Sequence, residues 1–230
     1  MRTTLITGAN KGLGYEAARR LLADGHDVWI GARDTQRGRN AAEEIGARFV
    51  QLDVTDEDSI AAAAKAVGAE TGLDVLVNNA GIQEGPLPVS KVTAAVMQRI
   101  YDTNVFGPVR VTRAFMPLLE RSQAPVIVNV SSGLGSETVV REPDRNEFRV
   151  NALAYCSSKS ALLMVTTQYA KAYPAIRINA VDPGYTATDL NGHSGPQTVT
   201  EGTDAIVAMA SIGAGGPTGT FIDRHGTVPW

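Results

Sequence analysis

The sequence predicts an α/β protein: a single domain with a doubly wound, mostly seven-stranded parallel sheet flanked by helices. Three observations carry that prediction. Apolar runs of strand length alternate with longer segments of helical period. Strands separated by helices pair in parallel through right-handed crossovers. The runs are apolar throughout, which means a sheet covered on both faces. The 230 residues contain no internal repeat and no linker, so one domain spans residues 1–230.

Each element has its own signal. Thr3–Thr7 is a short buried-strand run that stops at Gly8, and Leu13, Ala17, Ala18, Leu21 and Leu22 then mark a helix over Leu13–Ala23. Asp27–Ala32 is the second strand. Asp34 can cap the next helix, which runs to about Ile45, where Gly46 is a natural stop. Arg48–Leu52 is the third strand. Thr55 is expected to cap the Ala-rich helix Asp56–Glu70, with Asp58 in a capping-box-like place. Leu73–Val77 is the fourth strand. The Gly/Pro loop Gly81–Pro88 leads into two helices, about Ser90–Tyr101 and Asn104–Arg121. Val126–Val130 is the fifth strand, Leu153–Ala172 a long helix, Ile176–Val181 the sixth strand and Gly219–Ile222 a short seventh. Six of the nine residues of Arg141–Arg149 are charged, so this stretch reads as a solvated excursion within an insert at about 135–151.

Composition narrows the function. The 43% hydrophobic and 20% charged fractions are those of an ordinary soluble globular protein. No apolar stretch approaches the ~20 residues of a membrane span. A net charge of −3 argues against nucleic acid as partner. The one cysteine, Cys156, excludes an internal disulfide and a multi-cysteine zinc site, and His26, His193 and His225 form no local metal motif. Met1–Thr4 is polar and the apolar run after it is too short for a signal peptide, so the expected location is cytoplasmic.

Three motifs carry chemistry. Thr7-Gly8-Ala9-Asn10-Lys11-Gly12-Leu13-Gly14 follows the first strand and opens a helix. Glycines there let a pyrophosphate approach the backbone, and the helix N-terminus supplies free N–H groups. The spacing is G-x-x-x-G-x-G rather than the usual G-x-G-x-x-G, and plain turn glycines are the alternative. At the tip of the second strand, Ala32 stands where an acidic residue would bind a ribose 2′-OH, and Arg33 follows. Arg33 with Lys11 favours a 2′-phosphate and therefore NADP; otherwise both are surface charges and Asp34 is the ribose ligand. The third motif is Tyr155-Cys156-Ser157-Ser158-Lys159. Tyr155 and Lys159 share a helix face at i and i+4. A phenol of pKa ~10 is a poor acid–base group at neutral pH, and a nearby ammonium is expected to lower it so that it can exchange a proton with a substrate oxygen.

Together with Asn78-Asn79-Ala80-Gly81, Asn104, Val130-Ser131-Ser132 and Pro183-Gly184-Tyr185-Thr186-Ala187-Thr188, these motifs make the chain resemble the short-chain dehydrogenase/reductase family, from about Arg2 to Ile222. Within it, the glycine loop and Ala32-Arg33-Asp34 look most like NADPH-dependent carbonyl reductases. The resemblance implies a Rossmann fold and NADP(H) as cofactor. It implies Tyr155 as general acid/base, Lys159 as the residue that tunes it and binds the nicotinamide ribose, Ser132 as the partner of the substrate carbonyl, and Asn104 as the holder of a proton-relay water. It implies that Gly8, Asn10, Lys11, Gly12, Leu13 and Gly14 form the pyrophosphate loop, with Arg33 at the 2′-phosphate. Asp53 and Val54 would flank the adenine, and Asn78, Ala80 and Gly81 the adenosine ribose. Pro183, Gly184, Thr186 and Thr188 would hold the nicotinamide. No metal is implied.

Two features depart from the family pattern. Ser132 and Tyr155 are 23 positions apart, whereas many relatives use about a dozen. The inserted charged chain precedes a helix that usually lies at a subunit interface. Phe148 and Val150 are expected to cover that helix's apolar stripe, which favours a monomer over a homodimer or homotetramer. The segment at about 184–199 is short and Gly-rich, as in a small substrate lid. The expected activity is hydride transfer between nicotinamide and a small carbonyl or alcohol substrate. A non-catalytic NADP(H)-sensing protein of the same fold is the alternative, but such proteins typically lose Tyr or Lys. A sugar-nucleotide epimerase or dehydratase needs a larger C-terminal domain. Cys156 has no base partner in its motif and reads as packing, and His193 as a solvated loop residue.

Overall fold

The computed structural model describes residues 1–85 and 87–230. Pro86, inside the expected Gly81–Pro88 loop, lies outside the described residues. The chain order is β1 (Thr3–Thr7), α1 (Gly12–Ala23), β2 (Asp27–Ala32), α2 (Thr35–Ile45), β3 (Arg48–Gln51), α3 (Glu57–Glu70) and β4 (Val75–Asn78). Then come α4 (Ala94–Tyr101), α5 (Gly107–Leu119), β5 (Val126–Val130), α6 (Leu153–Ala172) and β6 (Arg177–Val181). The short helices α7 (Val199–Gly202) and α8 (Asp204–Ala210) precede β7 (Phe221–Asp223) and β8 (Gly226–Thr227). The sheet order is β3-β2-β1-β4-β5-β6-β7-β8. The strands up to β7 pair in parallel. The order reverses between β1 and β4, so the crevice where such sheets bind ligands opens above their carboxyl ends.

Side-chain alternation along the strands builds two cores. Ile6, Val75, Val77, Val126 and Val128 face α1, α2 and α8. Their neighbours Leu5, Leu76 and Ile127 face α3, α5 and α6, where Phe115 and Leu119 are fully buried. Burial on both faces explains why these strands read as continuous apolar runs.

Beyond the unexpected α7 and α8 and shifts of one or two residues at strand ends, the structure differs from the expectations at five places. An eighth strand, β8, folds back antiparallel on β7, through a turn in which the Asp223 carboxylate accepts from His225 and Gly226 N–H. The cap of α3 is Asp56, accepting from Asp58 and Ser59 N–H, because Thr55 is engaged with the Asp53 carboxylate. The helix expected from Ser90 starts at Ala94, where Thr93 caps it. The helix expected from Asn104 starts at Gly107; Asp102–Phe106 forms a π-helical turn instead. Pro108 has no N–H to donate to the carbonyl of Asn104 four residues back, which breaks the α ladder there. Finally, Phe148 and Val150 are 49% and 43% exposed, and Leu153 and Met164 of α6 stay exposed as well, so the α6 surface is not fully covered. The insert is a run of short 3₁₀ turns, and its charged residues leave these two side chains at the surface.

Candidate active site

The glycine loop is a cradle. Gly8 has φ +63° and stands so close to Ala80 that a Cβ would lie 2.9 Å from the Ala80 Cα; at Gly14 a Cβ would lie 2.5 Å from the Asn79 amide. Only glycine fits either place. Asn79 locks the loop to β4 by donating to the carbonyls of Thr7 and Gly8. The α1 N-terminus has neither a side-chain cap nor an acidic residue in its first turn, so its positive end faces the cradle uncompensated, as an anion site requires. Thr188 stands over Gly12, its methyl 4.0 Å from where a Cβ would be. These features fit a dinucleotide pyrophosphate.

Beside the cradle an open groove of about 490 Å³ is lined by Asn10, Lys11, Tyr15, Arg37, Asn40, Ala41, Glu44 and Asp189. Arg37, from the first turn of α2, lines this groove with Lys11 and stands 3.8 Å from the Asp34 carboxylate. Arg33 is exposed at the tip of β2 and does not line it. Lys11 itself pairs with Asp189 at 2.6 Å, and Asp189 also meets His193 at 2.8 Å. Hydrogen bonds from Lys11 first, and with His193 next, hold the Asp189 carboxyl below its usual range. Arg37 lies one helical turn beyond the strand-tip motif and was not singled out from the sequence.

Several other expected cofactor residues carry internal duties. The Asn78 amide donates to Asn129 of β5 and Thr112 of α5, while its carbonyl oxygen is buried without a partner among the described residues. The Asp53 carboxylate holds Thr55. Val54 packs where a Cβ on Gly107 would lie, at 3.0 Å. Thr186 is buried, with its hydroxyl on the Pro183 carbonyl. Ala80 and Gly81 do border the crevice: a Cβ on Gly81 would lie 3.6 Å from Lys159 Nζ and 3.5 Å from Asn104 Oδ1.

Next to Gly81 the acid–base residues converge. Ser132 leaves the end of β5, and Tyr155 and Lys159 descend on α6. Lys159 Nζ lies 5.5 Å from the Tyr155 ring centroid and donates to the Val130 carbonyl at 2.8 Å. Tyr155 and Lys159 are 9% and 4% exposed. Burial pulls the Lys159 ammonium down to about 8, against the charge of Asp182. Burial pushes the Tyr155 phenol up, Asp182 adds to the push, and a hydrogen bond with Ser132 opposes it. The expected lowering by Lys159 is therefore not the direction found here: burial dominates. Asn104 sits in the π turn, donating to the Ile82 carbonyl and the Ser158 hydroxyl and accepting from Ile82 N–H.

Asp182 is a site residue that the motifs did not reveal. It is 5% exposed, directly before Pro183, and its carboxylate accepts from Gly184 N–H at 2.9 Å. A Cβ on Gly133 would lie 2.8 Å from Asp182 and 3.2 Å from Glu147, so the insert sends Glu147 inward. Tyr185 and Ser194 share a hydrogen bond between their hydroxyls within the segment 184–199. Among the described residues, no three or more metal-binding side chains gather, and no helix is long and apolar enough to cross a membrane.

A phosphate cradle at the switch point, with a buried phenol and ammonium beside it, is the arrangement of a dinucleotide-dependent oxidoreductase. The chain belongs to the short chain dehydrogenase family, whose model matches residues 2–198. It is 33% identical to (-)-isopiperitenone reductase of Mentha piperita, over 97% of this chain and 96% of that protein. It is 31% identical to (+)-neomenthol dehydrogenase of Capsicum annuum, with the same coverage. Among solved structures, NADPH-bound carbonyl reductase from chicken fatty liver superposes with a TM-score of 0.88 at 30% identity, covering 100% of this chain and 99% of that one. A 3-ketoacyl-(acyl-carrier-protein) reductase from Brucella melitensis, complexed with NADH, gives 0.84 at 29% identity, covering 96% of each chain.

Proposed function

We propose that the protein is an NADPH-dependent carbonyl reductase acting on a small ketone or aldehyde. The observation that carries this reading is the convergence of Ser132, Tyr155 and Lys159 beside the glycine cradle. When bound, the cofactor supplies the hydride. Tyr155, neutral through burial, gives its proton to the carbonyl oxygen as charge develops there. The Ser132 hydroxyl donates a hydrogen bond to the same oxygen. Lys159 places positive charge beside the phenol and favours its loss of a proton. Gly8, Asn10, Lys11, Gly12, Leu13 and Gly14 would hold the pyrophosphate side. Pro183, Gly184, Thr186 and Thr188 would shape the nicotinamide side.

NADP preference is supported by Ala32 at the strand tip and by Lys11 and Arg37 in the adjoining groove, with Arg33 nearby. The structural neighbours include both an NADPH-bound and an NADH-bound enzyme, so the residues carry this choice. Relatives named for neomenthol and isopiperitenone make cyclic terpenoid ketones the first substrates to try. Initial rates with NADPH and NADH against aldehydes, quinones and cyclic terpenoid or steroid ketones test the reading. Turnover with NADPH is expected. Preference for NADH, or no turnover on any carbonyl, would reject it.

A further inference from the structure

Three consecutive residues after β4 each hold a different wall of the site. Ile82 is gripped through both backbone groups by the Asn104 amide. Gln83 donates to the Leu190 carbonyl in the segment 184–199. Glu84 reaches α6: its carboxylate accepts from the backbone N–H of Ala154 at 2.9 Å and of Tyr155 at 3.0 Å. These donors belong to the first turn of the helix, where N–H groups have no intrahelical partner. Ala152, at the N-cap of α6, provides no side-chain cap. A carboxylate from another loop takes that place.

We propose that Glu84 is a positioning residue for Tyr155. Its carboxylate clamps the first turn of α6 and so fixes where the phenol stands against Ser132 and the substrate. The proposal rests on Tyr155 being the proton donor. A carboxylate at a helix N-terminus also cancels the positive potential there. That effect reaches Tyr155 and its neighbour Cys156: burial is the main upward push on both, and the Glu84 charge adds to each. The other groups facing Tyr155 are Asp182, Ser132 and Cys156, with Lys159 at 5.5 Å. Against Cys156, Glu84 is the charged group that acts.

Cys156 is the chain's one cysteine, which makes its alkylation a clean reporter of the α6 N-terminus. Glu84→Gln keeps a carbonyl acceptor and deletes the charge; Glu84→Ala deletes both. The pH–rate profile of alkylation by iodoacetamide should shift to lower pH in both variants, because an uncompensated helix N-terminus stabilises a thiolate. In carbonyl reduction, kcat should fall about tenfold to a hundredfold in Glu84→Ala, as small misplacements of a catalytic group do. KM should change less, and Glu84→Gln should recover much of the loss. An unmoved alkylation profile overturns the proposal, as does Glu84→Ala with wild-type kcat. If Glu84→Ala does not fold, Glu84→Gln carries the alkylation test by itself. Alkylation needs no turnover, so a wild type that reduces no carbonyl would reject the proposed reaction while the Glu84 clamp is still judged by its own profile.

Discussion

Lys159 shows how burial and charge divide control of a single side chain. Burial pulls its ammonium down to about 8, and Asp182 pulls the other way. Below that pH the positive charge stands beside the phenol and makes it a better donor; above it the charge is lost. Reduction should therefore hold its kcat from neutral pH to near 8 and decline as pH rises further. A kcat–pH profile checks this: a rate that rises through that region contradicts the assignment. Arg37 gives a second residue-scale prediction. Losing one charged hydrogen-bonding partner costs roughly 1.5–3 kcal/mol, or about tenfold to over a hundredfold in affinity. Arg37→Ala should raise the KM for NADPH by that much and leave NADH almost unaffected. If Arg33→Ala shows the larger effect, the groove is not the phosphate site. Tyr155, Lys159 and Ser132 were legible in the sequence because their motifs stand at fixed ends of elements. Arg37, Asp182 and Glu84 were not, because Arg37 lies a helical turn past its motif and Asp182 and Glu84 come near the others only through the fold.

At the scale of elements, strands and long helices were readable and their ends less so. β1, β2, β5 and α6 span the expected residues because long apolar runs and turn residues bound them. The α3 cap moved by one residue because two good capping residues stand side by side and Asp53 engages one. Asp56→Ala should destabilise the protein by about 1 kcal/mol, within the usual ~0.5–2 kcal/mol of an N-cap loss. Urea melts decide this, and a larger loss in Thr55→Ala would restore the original expectation. The π turn was not legible, since its cause is one missing N–H at Pro108. Such turns are frequent at functional sites, and this one aims Asn104 at Ile82 and Ser158. The segment 184–199, tied down by Asp189 on Lys11 and by Leu190 on Gln83, shows as a Gly-rich stretch in sequence but not as a tethered one.

For the whole molecule, the doubly wound sheet and its ligand crevice follow from alternation and apolarity alone. The ends of the chain follow less directly: β8 and α7 are too short to leave a periodic signal. A short antiparallel β8 closes the β7 edge, which removes one surface for strand pairing. At the other relevant face, Phe148 and Val150 leave Leu153 and Met164 of α6 exposed. The case for a monomer thus narrows to the closed edge and the charged insert ahead of α6, since burying unpaired charge at an interface is costly. Light scattering at several concentrations should give a mass near 24.3 kDa. A stable mass of twice that would mean that the exposed α6 stripe pairs two copies.

The central claim is that this molecule reduces carbonyls by proton donation from Tyr155. Tyr155→Phe keeps the ring and its packing and removes only the hydroxyl. Its kcat with NADPH and the best ketone should fall by at least the ~10²–10⁴ usual for a general acid, while NADPH binding measured by fluorescence stays at the wild-type level. Turnover close to wild type in Tyr155→Phe would contradict the account.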